Sequence, residues 1–106
     1  MILLNVGLHT KTGAPLDWGT VIASVLKEGV RVIRCTEKQS ASEPTLVIEI
    51  NRPLSDNEAY WVSVALGQEA IAQQTADGEG QLYGPKAEEW GPFNPDFFLT
   101  FEEVSL

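Results

Sequence analysis

Thr45-Leu46-Val47-Ile48-Glu49-Ile50, then Asn51-Arg52-Pro53-Leu54, then Ser55-Asp56-Asn57-Glu58: this stretch decides how the 106-residue chain folds. In its first six residues Leu46, Ile48 and Ile50 share one face under the two-residue repeat of a pleated strand, and Thr45, Val47 and Glu49 share the other. One face is strongly apolar and the other is mixed. Ser55 followed three residues later by Glu58 is a capping box, in which each side chain accepts from the other residue's backbone N–H, and Leu54 and Ala59 stand where a hydrophobic staple closes. A strand, a short connector and a capped helix therefore fix a β-to-α turn against which the other segments can be laid.

Upstream, residues 2 to 8 alternate, with Ile2, Leu4, Val6 and Leu8 on one face and Leu3, Asn5, Gly7 and His9 on the other. Leu3 makes this a central strand, since an edge strand leaves its second face largely to water. Thr10 to Pro15 supply a polar loop. From Asp17 the apolar positions become Trp18, Val21, Ile22, Val25 and Leu26, the spacing of a helix with one buried stripe, and a helix is expected from about 17 to 28 with Asp17 as N-cap and Gly29 as its stop. Residues 30 to 37 are rich in β-branched side chains and read as a second strand. Residues 38 to 44 have the polar composition of a hairpin loop leading into the strand at 45 to 50.

Downstream, the capped helix carries Ala59, Val62, Ala65 and Leu66 on its core side, has Tyr60 and Trp61 near its margins, and stops near Gly67. Residues 69 to 74 are expected as a strand, although Ala, Gln and Glu there also suit a helix. Asp77-Gly78 marks a tight turn and Gln81-Leu82-Tyr83 a return strand. Lys86 to Trp90 fit one or two helical turns between Gly84-Pro85 and Gly91-Pro92. Phe97, Leu99 and Phe101 alternate as a last strand would, and Glu102, Glu103 and Ser105 suggest that order fades near the terminus.

The order β-α-β-β-α-β over roughly residues 1 to 75 resembles the ferredoxin-like α/β plait, an α+β fold with two helices on one face of an antiparallel sheet. Here it is extended by a C-terminal hairpin or strand and an aromatic, Pro/Gly-rich segment. The length suits a single domain spanning residues 1 to 106. The resemblance implies that a third strand separates the first two, and so keeps His9 from Cys35. Many activities share this architecture, so it implies no particular one.

Composition bounds the function. A hydrophobic content of 43% and a charged content of 21% are ordinary globular values. No apolar run approaches the ~20 residues of a spanning helix. The apolar start lacks a basic flank and is interrupted at Asn5 and Gly7, unlike a secretory signal, so a cytoplasmic protein without membrane contact is expected. Fifteen acidic against seven basic residues give a formal charge of −8. Such a surface repels phosphates, disfavouring direct nucleic-acid binding, and favours solubility or a basic partner.

His9 is the single imidazole, the side-chain type that changes charge near neutrality, and it stands where the first strand opens into a loop. It could act as a general base with a carboxylate, for which Glu43 and Glu69 are the candidates. With no second histidine and one cysteine, neither a metal site nor a cofactor is expected. Cys35 is expected to pack as a small apolar side chain, with neighbouring Arg34 on the opposite face.

The aromatic set Trp61, Tyr83, Trp90 and Phe93, continued by Phe97 and Phe98, reads in three ways. It is a lid lining a ligand pocket or an interface hot spot, a segment packed over an open sheet face with Trp90 and Phe93 plugging the core, or a set of rings on which nucleic-acid bases stack. The preferred reading is a non-catalytic binding or regulatory module forming a homodimer or docking on a protein. The alternatives are a small enzyme using His9 and a carboxylate in a pocket closed by Trp90, and an acidic nucleic-acid mimic that occupies a basic partner.

Overall fold

A computed structural model describes residues 1–40 and 42–102. Of Glu102, Glu103 and Ser105, where order is expected to fade, Glu102 is described, its carbonyl accepting from Lys38 at 2.6 Å, and the other two lie outside the described residues. The chain is α+β. Strands β1 (Ile2–Gly7), β2 (Val32–Gln39), β3 (Pro44–Ile50), β4 (Ile71–Gln74) and β5 (Gly80–Tyr83) form one antiparallel sheet in the order β2-β3-β1-β4-β5, with helices α1 (Trp18–Leu26) and α2 (Asp56–Ala65). The radius of gyration is 12.5 Å, the value of a compact chain of about 100 residues. No helix among the described residues is long and apolar enough to cross a membrane.

The alternation of β1 and β3 sets the core. Leu4 pairs with Ile48 and Val6 with Leu46, and these side chains meet Val21 and Val25 of α1 and Ala59 and Val62 of α2 in one buried cluster. Both helices therefore cover the same face. Cys35 packs against that cluster while Arg34, one residue earlier, pairs with Glu49 across the other face. β3 separates β1 from β2.

The helix starts follow their caps. Asp17 accepts from the Thr20 N–H, which lowers its pKa, and Ser55 and Glu58 make both bonds of the capping box. Arg52 grips both Glu58 oxygens at 2.9 and 3.1 Å and donates to the Glu28 carbonyl just past α1. These hydrogen bonds hold Glu58 down from its ordinary 4.5 to about 2, the Arg52 bond being the largest cause. Gln73 is buried in β4 and bonds both backbone groups of Leu54, accepting from N–H at 2.8 Å and donating to C=O at 3.1 Å. The connector before α2 is thereby sewn to the sheet by a side-chain amide.

One expectation fails near the C-terminus. Residues 97 to 101 form no strand; Pro95–Phe97 is a short 3-10 turn and Phe98 continues as extended chain outside the sheet. The Phe97, Leu99, Phe101 alternation reports an extended backbone, which needs a neighbouring strand before it becomes a ladder. Residues 86 to 90 form hydrogen-bonded turns too short to count as a helix element, the Trp90 N–H on the Lys86 carbonyl closing a single helical turn. The smaller differences are boundaries: β2 runs two residues later than expected, β4 begins at Ile71, and α1 ends at Leu26.

Candidate functional site

The site arises on the sheet face that carries no helix. Register places Leu3, Asn5 and Gly7 of β1 on that face beside Glu49, Val47 and Thr45 of β3 and Gln74 and Ala72 of β4, with Leu82 and Gly80 of β5 beyond. Leu3 and Val47 are nonetheless buried. Their cover is the chain from Trp90 to Glu102, which crosses the face as a strap.

Besides the Trp90 indole N–H on the Glu69 carboxylate, four contacts hold the strap among the described residues. At Gly80 a Cβ would overlap the Phe93 ring, so the missing side chain is what lets that ring lie on β5. Asn5 bonds both backbone groups of Leu99, donating to its carbonyl at 2.9 Å and accepting from its N–H at 2.7 Å. The Arg34 guanidinium lies 3.9 Å from the centroid of Phe101, and Lys38 donates to the Glu102 carbonyl at 2.6 Å. Phe93 and Phe98 also pack on each other with centroids 5.4 Å apart. Each interaction is worth about 1 kcal/mol, so the strap is attached at points rather than sealed along its length.

Between strap and sheet lies a cavity of about 560 Å³, within the range of small-molecule sites. Its floor includes Asn5, Gly7, Thr45, Ala72 and Leu82; its roof is built from Trp90, Phe93, Phe97, Phe98 and Leu99; Ser40, Ser42 and Glu43 close one end. Trp90 and Phe97 are 54% and 78% exposed, rimming the opening instead of filling the core.

Glu43 is the one ionisable side chain in the lining among the described residues. Its carboxylate lies over Gly7, where a Cβ would overlap it, and the side chain is 28% exposed. Among the described residues His9 Nδ1 stands 3.7 Å from it, outside hydrogen-bond reach. His9 is outside the lining; its carbonyl accepts from buried Gln68 at 2.8 Å, and an isolated bridge to Pro15 closes its loop.

The candidates named from the sequence thus separate into groups. His9 and Glu43 come together, whereas the Glu69 carboxylate accepts from the Trp90 indole N–H at 3.2 Å and contributes nothing to the lining. Trp90 and Phe93 line the cavity. Tyr83 does not: it sits on the helix-covered face against the core, its pKa raised chiefly by burial and further by Asp56. Trp61 stands on α2, exposed and edge-to-face with Tyr60 at 5.4 Å, away from the cavity. Sequence reasoning missed Asn5, Gly7 and Gly80 as site residues. Their signal was present, since asparagine and glycine are depleted within strands and mark places where another chain segment approaches.

Among the described residues no three His, Cys, Asp or Glu side chains gather as a metal site requires. No protein-family model, curated protein or solved structure matches this chain.

Proposed function

We propose that this chain is a small cytoplasmic, non-catalytic binding module that takes its ligand between the helix-free sheet face and the aromatic strap. The observation that carries this reading is the cavity of about 560 Å³, walled by aromatic rings and floored by small strand residues. Such a site binds by apolar burial and orients through few polar groups. The fold reading that accompanies it is the ferredoxin-like plait, supported by the order β2-β3-β1-β4 and by two helices on one face, with β5 as an addition.

Docking through a sheet edge, the other route to a protein partner or homodimer, has weaker support. The outer strand β2 carries a register shift between Val32 and Arg34 and charged side chains, and β5 has four residues; these are devices that blunt edges. A second reading, a small enzyme, draws on the 3.7 Å approach of His9 to Glu43 beside the cavity. Glu69, paired with Trp90, adds nothing to that dyad. The nucleic-acid mimic has little geometric support, because the carboxylates are spread over helix ends, both sheet faces and the Asp77 hairpin.

The test is amide shift mapping with 3-methylindole, a neutral aromatic probe. Saturable shifts at Gly7, Ala72, Leu82 and Leu99, with Trp61 unmoved, are the expected result. Shifts confined to the Tyr60 and Trp61 face of α2, or none at millimolar probe, contradict the reading.

A further inference from the structure

The chemistry of the cavity also selects its ligand. Resting on the proposal that this cavity is the binding site, we infer that it takes a small aromatic amine: an apolar ring held under the strap, with a protonated amine on the Glu43 carboxylate. Three observations converge on this occupant. Among the described residues Glu43 is the sole ionisable group of the lining, and no basic side chain joins it there. Its carboxylate lies over Gly7 at the end of the cavity and takes no hydrogen bond among the described residues, His9 Nδ1 standing off at 3.7 Å. The remaining wall is aromatic, and ring faces attract cations as well as apolar bodies. The chain's charge of −8 acts in the same direction by drawing cations and repelling carboxylates and phosphates.

The contrast with the neighbouring cavity under the same strap supports the assignment. That space, about 460 Å³, is lined by Arg34 and Glu102, and Arg34 is already engaged by Glu49 at 2.8 Å and by the Phe101 ring. Glu43 has no comparable partner among the described residues.

A charge series on one ring system tests the inference: tryptamine, 3-methylindole and indole-3-propionate, titrated at neutral pH and low salt into the wild-type chain and into Glu43→Gln and Phe93→Ala. Tryptamine is expected to bind about tenfold more tightly than 3-methylindole, and indole-3-propionate more weakly than both. Glu43→Gln should bring tryptamine to the level of the neutral probe in that same variant, whereas Phe93→Ala should weaken all three. Circular dichroism confirms that each variant is folded. If tryptamine and 3-methylindole bind alike and Glu43→Gln changes neither, the amine assignment is overturned while the cavity stands as a site. If none of the three binds the folded wild-type chain, or light scattering shows a dimer that excludes them, both the cavity reading and the amine assignment fall.

Discussion

The two faces of the sheet use the same fastening to opposite ends. On the helix side Gln73 bonds both backbone groups of Leu54; on the strap side Asn5 bonds both backbone groups of Leu99. The first amide is buried among a continuous apolar cluster and closes a sealed layer. The second is partly buried and is one of a few points along an irregular crossing, with open space on either side. Helices cover a face continuously because their side chains repeat at the spacing of the surface beneath. A strap of one glycine, two prolines and scattered rings cannot, and the space it leaves is where a ligand fits.

Substitutions should separate the two faces. Ile48→Ala, on the sealed side, is expected to cost about 2–5 kcal/mol in urea unfolding, because it opens a void between β3 and the helices. Gln73→Leu should cost about 2–4 kcal/mol, since it strands the N–H and C=O of Leu54 away from water. A similar cost for Asn5→Leu, read by the same unfolding, would erase the distinction between the faces. The account instead expects about 1–2 kcal/mol, because the Leu99 groups can turn to solvent when the strap lifts. Gly80→Val displaces the Phe93 ring and should cost about 1–3 kcal/mol. Its sharper readout is loss of 3-methylindole binding with the β1 and β3 amide shifts retained.

The smallest expected effect concerns pH. Arg52 and the Ser55 N–H hold Glu58 at about 2 in the folded chain, against an ordinary 4.5. A lowered folded value means that the contribution is complete above the ordinary range and is lost as pH falls from about 5 towards 2. Because the pair is partly exposed and screened by salt, its size should stay within about 1 kcal/mol. Glu58→Gln should flatten that part of the acid limb, and an unchanged limb would remove the Arg52 clasp from the account.

The helix-covered face was the legible one. Ser55 and Glu58, Asp17, and the alternation of residues 2 to 8 and 45 to 50 are local patterns whose meaning does not depend on distant partners, and each led to its element. The strap was illegible for the converse reason. Phe97, Leu99 and Phe101 alternate, but whether an extended segment pairs at an edge or lies across a face depends on what receives it. Here the receivers are Asn5 and Gly80, distant in sequence. The His9 and Glu43 approach follows from two loops meeting at one end of the sheet, where β1 and β3 pair Gly7 with Thr45. Tyr83 shows the limit of counting aromatics, since its alternation phase in β5 sends it to the core and not to the cavity.

Amide hydrogen exchange at Leu99, compared with Ile48 in the same sample with and without tryptamine, tests the central claim most directly. The account predicts that the Leu99 N–H, held by the Asn5 side chain, exchanges through local opening well before Ile48, and that bound tryptamine slows Leu99 selectively. Exchange of both amides only by global unfolding, with no response of Leu99 to the ligand, would show the strap to be one more piece of sealed core and would contradict it.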